Sequence, residues 1–214
     1  MIVLSTAFKT AQIAISHNGK TSVRELDANC KHSENVLKTI DTMLDEMGVE
    51  IGEINTYGVV IGPGSFTGLR IGVALVKGLC EGGRNDSKVV PLSSFDVIAY
   101  SYIKHASPKS DFIVVINALS GLVFVRSYDN RGKALSEGKL ISREELDSMS
   151  GNKICLEEDN LPFTIVAISA EDLLEYAVTQ EKLGKSCDFH TVSPIYLRKS
   201  QAEDQLELKN LKKS

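Results

Sequence analysis

The sequence lacks several features that mark secreted, membrane-embedded or zinc-binding proteins. Its four cysteines are scattered without a C-x-x-C pair, and this spacing indicates neither a zinc ribbon nor a disulfide framework. No apolar run reaches the length of about 18 residues that a bilayer-spanning helix needs. The opening residues, MIVLSTAFKTAQIAI, lack the basic start and cleavage site of a signal peptide. We therefore expect a cytoplasmic protein with buried free thiols and no membrane contact.

An excess of positive charge is also missing. The chain has 24 Lys and Arg against 28 Asp and Glu, a formal net charge of −4. A protein that binds nucleic acid by itself usually presents a broad basic face. One basic concentration lies in a polar C-terminal tail, for which a solvated helix or a frayed end is the simpler interpretation. Its residues are Arg198, Lys199, Lys209, Lys212 and Lys213. The sequence therefore predicts that any contact with RNA is made through a partner that supplies the positive charge.

The first half of the chain alternates between strand and helix signals. Short apolar runs separated by turn residues predict three strands joined by hairpins, and apolar residues at helical spacing then predict a helix that stops at Gly48. A strand, the helix after the glycine loop, another strand and another helix follow. These predicted elements span residues 2–4, 11–16, 22–26, 33–47, 57–61, 69–80, 88–92 and 95–104.

The second half repeats this order of elements after a linker-like stretch at residues 107–110. Its predicted elements span residues 112–116, 122–128, 133–140, 142–149, 154–156, 163–168 and 170–179. Three strands, a helix, a strand and a helix thus occur twice, which suggests a duplicated α/β fold with a mixed sheet and flanking helices in each lobe. We place the lobes at residues 1–106 and 107–214, and we expect the last helix to return to the first lobe.

The stretch GVVIGPGSFTGLRIGVALVKGLC, residues 58–80, places a glycine-rich loop between an apolar strand and a helix. Such a loop can bind phosphate when its backbone N–H groups point at the anion. The Walker A spacing is absent, because five residues separate Gly62 from Gly68 and Leu69-Arg70 follows where Lys and Ser or Thr are needed. The glycines also miss the dinucleotide-binding spacing. A lone anion site at the helix start remains open.

No catalytic residue and no set of metal ligands is evident. Ser65 lies in PGSFT, not in the G-x-S-x-G turn that exposes a nucleophilic serine in hydrolases. The four histidines, His17, His32, His105 and His190, are distant in the chain and form no H-x-x-x-H or H-E-x-x-H pair. We predict neither a catalytic nor a metal site, and a peptidase that uses Ser65 is the alternative.

Close packing is the third interpretation of the same segment. Gly68 and Gly72 lie four residues apart, as do Ala74 and Gly78, and small residues at this spacing let another helix approach. The helix is otherwise largely apolar, so that burial is expected around most of its circumference. One side would face the sheet and the other would meet either the preceding helix or a partner chain. On this interpretation, Gly72→Leu abolishes pairing and leaves the fold intact.

Three segments together resemble one family. Residues 58–79, GVVIGPGSFTGLRIGVALVKGL, are similar to the signature of the TsaB (YeaZ) family, the glycoprotease-like subunit of the bacterial system that makes threonylcarbamoyladenosine in tRNA. HSENVLKTIDTML, residues 32–44, resembles the family's first helix, and SPIYLRKSQAE, residues 193–203, resembles its closing motif. The resemblance implies an actin-like, duplicated fold of the ribonuclease H-like (ASKHA) type.

The resemblance also implies a function without catalysis by this chain. The family member pairs with its larger catalytic paralogue (TsaD-type), a small ATPase (TsaE-type) joins them, and homodimers use much the same surface. No cofactor belongs to the chain itself, although the resemblance allows a nucleotide at the shared interface. The implied interface is formed by two helices, with the following residues: His32, Ser33, Glu34, Val36, Leu37, Ile40, Gly64, Ser65, Phe66, Thr67, Gly68, Arg70, Ile71, Gly72 and Leu75.

Two positions depart from the family pattern. The aspartate that most members carry in the first hairpin is matched by Ser5, which cannot supply a negative charge for metal and phosphate. The family's Asp-Ala-Arg at the start of the second lobe is matched by Asn117-Ala118-Leu119. A further hypothesis for the function is an ATP-binding relative of the sugar kinases. The serine at position 5 disfavours this hypothesis.

Overall fold

A computed structural model describes residues 1–26, 32–83 and 86–197, without the side chains of residues 32–34. The basic tail predicted at residues 198–214 therefore lies outside the described residues, as does Cys30. The elements of the first half are β1 (Ile2–Ser5), β2 (Ala11–His17), β3 (Lys20–Leu26), α1 (His32–Met47), β4 (Thr56–Gly62), α2 (Phe66–Gly82), β5 (Lys88–Ser93) and α3 (Ser94–Ala106). Those of the second half are β6 (Phe112–Asn117), β7 (Leu122–Tyr128), β8 (Lys139–Ser142), α4 (Arg143–Ser148), β9 (Asn152–Leu156), β10 (Thr164–Val166), α5 (Ala170–Lys182) and β11 (Cys187–Asp188).

Two mixed sheets repeat the same arrangement. The first has the strand order β11-β5-β4-β1-β2-β3, and the second has the order β10-β9-β6-β7-β8. In each, three antiparallel strands form a meander, and the first of them also pairs in parallel with a later strand, β1 with β4 and β6 with β9. The predicted duplicated α/β fold is therefore confirmed.

Helices separate and cover the sheets. Apolar residues of α1 and α2 pack on one face of the first sheet, so that these two helices lie side by side on the outside. Residues of α3 and α5 share a core with the inner faces of both sheets. The short helix α4 covers the outer face of the second sheet. Helix α5 packs against β1, β2 and β3 of the first sheet, and the lobe boundary at residue 106 stays a proposal.

One predicted strand is largely wrong. The strand expected at residues 133–140 is limited to Lys139–Ser142, preceded by an isolated bridge between Tyr128 and Ala134. The Ser136 hydroxyl accepts from the Ser127 backbone N–H at 3.0 Å, and Arg126 Nε donates to the Ser136 carbonyl at 3.1 Å, so that side chains replace backbone pairing where the strand was expected. The short strand β11 was not predicted at all, since two residues carry no periodic signal.

No helix in the described part of the chain is both long enough and apolar enough to span a bilayer.

The buried thiols provide a simple test of this packing. Cys80 is 2% exposed, and burial raises its pKa to about 12. Burial likewise raises the pKa of Cys155, which is fully buried. Because the thiolate is the reactive form, we expect iodoacetamide at about pH 8 to leave both cysteines unmodified in the native protein and to alkylate both in guanidinium chloride. Peptide mass spectrometry checks this result. Rapid modification of Cys80 in the folded chain would contradict the placement of α2.

Candidate functional site

The glycine-rich loop joins β4 to α2 and lies against the loop that follows β1. The backbone N–H of Ser65 donates to the Ala7 carbonyl at 3.0 Å, and the Thr6 hydroxyl donates to the Gly68 carbonyl at 2.6 Å. Ser65 is the N-cap of α2, since its Oγ accepts from the Gly68 N–H at 3.2 Å. This cap explains why α2 begins at Phe66, three residues before the predicted start.

The glycines of this segment lack a side chain at points where the loop after β1 approaches closely. A Cβ at Gly68 would lie 1.8 Å from the Thr6 carbonyl oxygen, and one at Gly72 would lie 2.6 Å from Thr6 Oγ1. A Cβ at Gly64 would lie 2.8 Å from the Ala7 carbonyl oxygen. The interpretation that Gly68 and Gly72 admit a partner helix is therefore wrong, because both face the end of β1. For the same reason, Gly72→Leu is not a change that leaves the fold intact.

The last described residues cover the start of α2. The Ile195 N–H donates to the Ile61 carbonyl at 2.7 Å. The Tyr196 ring lies 4.5 Å from the Phe66 ring, centroid to centroid, and Arg70 Nε donates to the Tyr196 hydroxyl at 2.9 Å. The Arg70 guanidinium also lies 4.0 Å from the centroid of the Phe66 ring. We call Phe66, Arg70 and Tyr196 the aromatic clamp, which ties the closing motif to the glycine-loop motif.

Loss of the clamp is expected to weaken the fold measurably. Tyr196→Ala removes a ring contact, a cation–π contact and a hydrogen bond, and we expect it to lower the free energy of unfolding by about 1–2 kcal/mol. Tyr196→Phe keeps the ring and loses the hydrogen bond to Arg70, so that its effect should be smaller. Urea denaturation of the two variants measures the difference. Equal effects of the two variants would mean that ring stacking contributes nothing.

The outward face of α2 is built from small and apolar residues. Thr67, Ala74 and Gly78 are exposed, and Ile71 and Leu75 beside them are half-buried. No atom lies within 4 Å of a Cβ built at Gly78. We call these five residues the small-residue face. Leu37, on the adjacent helix α1, is a large apolar side chain that is 40% exposed. Both α1 and α2 pack on the outer side of the first sheet, and no described residue covers these largely apolar side chains.

The predicted interface residues divide into three groups. Those that reach the surface, wholly or in part, are Leu37, Gly64, Ser65, Phe66, Thr67, Arg70, Ile71 and Leu75. Those enclosed by the chain's own core are Val36, Ile40, Gly68 and Gly72, and this burial excludes them from direct contact with a partner. The side chains of His32, Ser33 and Glu34 lie outside the described residues. The predicted set does not include Ala74 and Gly78, whose four-residue spacing is visible in the sequence, or Tyr196, although all three lie at the surface of this region.

Within the part of the chain that the structure describes, which leaves out the side chain of His32, no histidine contacts Ser65. The ring of His17 lies 3.6 Å from the Glu53 carboxylate, that of His105 lies 3.0 Å from Asp172, and that of His190 stacks on Phe189. Within residues 1–26, 32–83 and 86–197, no three His, Cys, Asp or Glu side chains converge as metal ligands. The hydroxyl of Ser65 serves instead to cap α2.

The two family departures occupy equivalent places, at the ends of β1 and β6. Ser5 is fully buried, and its hydroxyl accepts from the Ala7 N–H at 3.4 Å. Asn117 bonds to Asp159 twice: its backbone N–H donates to the carboxylate at 2.7 Å, and its side-chain amide donates to the carbonyl at 3.0 Å. Burial raises the pKa of Asp159, although the N–H donors of Asn117 and Leu156 partly offset this effect. These groups satisfy one another within the chain.

Comparison with known proteins agrees with this geometry. The family model described as "TsaD: tRNA N6-adenosine threonylcarbamoyltransferase" matches residues 25–152, more than half of the chain. Two crystal structures from Pseudomonas aeruginosa, one of YeaZ and one of an uncharacterized protein with similarity to peptidase YEAZ, share the fold. Their TM-scores are 0.75 and 0.77 at 20% and 21% identity, and each alignment covers 92% of this chain and 98% of the other. The chain is thus a duplicated, actin-like α/β protein with the same fold as these structures.

Sequence relatives carry one common name. The Escherichia coli (strain K12) "tRNA threonylcarbamoyladenosine biosynthesis protein TsaB" is 22% identical, over 96% of this chain and 97% of that protein. The Haemophilus influenzae protein of the same name is 32% identical over 100 residues, 46% of this chain and 41% of that protein's length. The chain belongs to the TsaB (YeaZ) family.

Proposed function

We propose that this chain acts in tRNA threonylcarbamoyladenosine biosynthesis as a non-catalytic subunit that binds the catalytic, TsaD-type transferase. The names of its relatives support the pathway. The small-residue face of α2 carries the proposal for binding, because it is an apolar surface with no cover from the described part of the chain. A second copy of the chain would use the same face when the transferase is absent.

The small-residue face suits packing against another helix. At Ala74 and Gly78 the side chains are minimal, so that a partner helix can approach the α2 backbone closely, while Ile71 and Leu75 supply apolar area at the margin. A stable interface of ordinary size buries about 800 Å² on each partner, which is more than one helix stripe offers. Helix α1 contacts α2 and carries the exposed Leu37, so it is the element that would add the remaining area.

The lack of catalysis is supported by the roles that potential catalytic groups already have. Ser65 caps α2, and Ser5 stands buried where the family's aspartate would face metal and phosphate. A nucleotide would therefore bind at the interface shared with the transferase, where the TsaE-type ATPase also joins. The formal net charge of −4 favours tRNA contact through the complex.

Co-expression with the transferase of the same organism tests the proposal. We expect a complex of one copy each, observed by size-exclusion chromatography with light scattering, with and without ATP. Formation of threonylcarbamoyladenosine in a reconstituted reaction should need both proteins and the ATPase. A chain that does not bind the transferase under either condition would overturn the proposal, and so would modification activity that is independent of this chain.

A further inference from the structure

A second candidate site lies away from α1 and α2. A cavity of about 320 Å³ is bounded by α3, α5 and the turn between β7 and β8, on the other side of the first sheet from the small-residue face. Its volume is in the range of small-molecule sites. The groups that matter for its chemistry are Asp96, Tyr100, Lys104, Arg131 and Tyr176.

An acidic group stands at one side of the cavity. Asp96 Oδ1 accepts hydrogen bonds from the Tyr128 hydroxyl at 2.6 Å and from the Arg126 guanidinium at 3.1 Å. These two donors fix the carboxylate, and no hydrogen bond to its Oδ2 is recorded among the described residues. The side chain is 29% exposed. Oδ2 is thus a hydrogen-bond acceptor in a fixed position, available to a donor in the cavity.

A basic group stands on the turn. Arg131 is exposed, and its guanidinium has no recorded hydrogen bond or ion pair within the part of the chain that the structure describes. The turn itself is well held: Asp129 accepts from the N–H groups of Arg131 and Lys133, each at 2.9 Å. Gly132, with φ +88°, brings the turn so close to α3 that a Cβ would lie 2.7 Å from Ile103 Cδ1. The guanidinium has an electrostatic interaction with Asp129 but no hydrogen-bonded partner among the described residues, which leaves its donors available to a carboxylate.

Aromatic rings and a paired lysine form the wall. The rings of Tyr100 and Tyr176 lie 5.3 Å apart, centroid to centroid. The Lys104 ammonium is held by Asp172 at 2.9 Å and by Glu175 at 2.6 Å, and Glu175 also accepts from the Tyr100 hydroxyl. Burial, and then the negative charge of Asp96, raise the pKa of Tyr176, which keeps its hydroxyl protonated. That hydroxyl has no hydrogen-bond partner among the described residues, and Tyr176 is one of the residues that line the cavity.

We propose that this cavity binds a free α-amino acid, with the ligand ammonium on Asp96 Oδ2, the ligand carboxylate on Arg131, and the side chain against Tyr100 and Tyr176. An acceptor and a cation that line the same cavity match a zwitterion better than an anion, which Asp96 would repel. Tyr176 lines the same cavity, and its protonated phenol supplies a neutral donor. This site does not depend on the proposed function, because it shares no residue with the small-residue face.

Thermal shift with each of the twenty standard L-amino acids at about 10 mM identifies the ligand, and calorimetry on the full chain measures its affinity. We expect at least one amino acid to bind and its N-acetyl and amide derivatives to fail, since each derivative loses one charge. Arg131→Gln should weaken binding at least about tenfold, and Tyr176→Phe several-fold. Lys133→Gln, the same change of charge on the same turn, is the matched control and should bind normally.

Several results would overturn this proposal. They are the absence of binding for all twenty amino acids, equal binding of the N-acetyl and amide derivatives, unchanged affinity in Arg131→Gln, and an equal loss in Lys133→Gln. Because Arg131 and Lys133 are both exposed and make no recorded side-chain bond within the described residues, neither substitution should alter folding. Complex formation with the transferase should be the same in all these variants.

Discussion

Ala74→Arg is expected to abolish binding of the TsaD-type transferase while leaving the isolated chain folded. Ala74 is exposed at the middle of α2, between Thr67 and Gly78 on the small-residue face. A long, charged side chain there would hold a partner helix away and would have to be desolvated, so that we expect affinity to fall at least about 100-fold. Size-exclusion light scattering with the transferase, or calorimetry at matched concentrations, measures the loss.

Ala106→Arg is the matched control for this experiment. Ala106 is also an exposed alanine in a helix, but it ends α3 on the other side of the first sheet. It should bind the transferase with normal affinity. If Ala74→Arg keeps full affinity and thermal stability, the transferase does not use this face. If both variants lose binding, general surface charge and not the position on α2 is responsible.

Gly68→Ala is expected to be among the most destabilising single substitutions in the chain. The added Cβ would lie 1.8 Å from the Thr6 carbonyl oxygen, a backbone atom that cannot move aside without disturbing β1. The movement would also strain the hydrogen bond from the Thr6 hydroxyl to the Gly68 carbonyl. We expect a loss of about 3 kcal/mol, a large part of the 5–15 kcal/mol that stabilises a typical domain. Urea denaturation measures it.

Gly78→Ala, on the same helix, should raise the free energy of unfolding instead of lowering it. A Cβ there meets no atom within 4 Å, so that the higher helix propensity of alanine acts alone. We expect a gain of about 0.5–1 kcal/mol in the free energy of unfolding. A Gly68→Ala protein as stable as Gly78→Ala would mean that α2 is rotated about its axis relative to the arrangement described above.

Local patterns predict most of the fold, because each strand or helix carries its own periodicity. The strands at residues 2–4, 11–16 and 57–61 and the helix at 33–47 follow from apolar spacing and turn residues alone, and the structure confirms them. The strand at 133–140 fails because the side chains of Ser136 and Arg126 bond to the backbone where strand pairing was expected, and hydropathy does not record such contacts.

The candidate surface is only partly predictable for a different reason. Spacing identifies two pairs of small residues on α2, but not which pair faces the sheet. That choice depends on the rotation of the helix, which the Ser65 cap and the contact with Thr6 determine. The partner of Arg70 in the aromatic clamp lies 126 residues further along the chain, so that no local pattern could indicate it.

The return of the last described residues to the first sheet sets an order in time. β11 is an edge strand of that sheet, and Tyr196 reaches the start of α2, yet both are made after the entire second sheet. When β1 to β5 have been synthesised, the first sheet of the nascent chain therefore still lacks its edge strand β11, and α2 still lacks the aromatic clamp. If α2 binds the transferase as proposed, its native surface is complete only after translation has passed Tyr196.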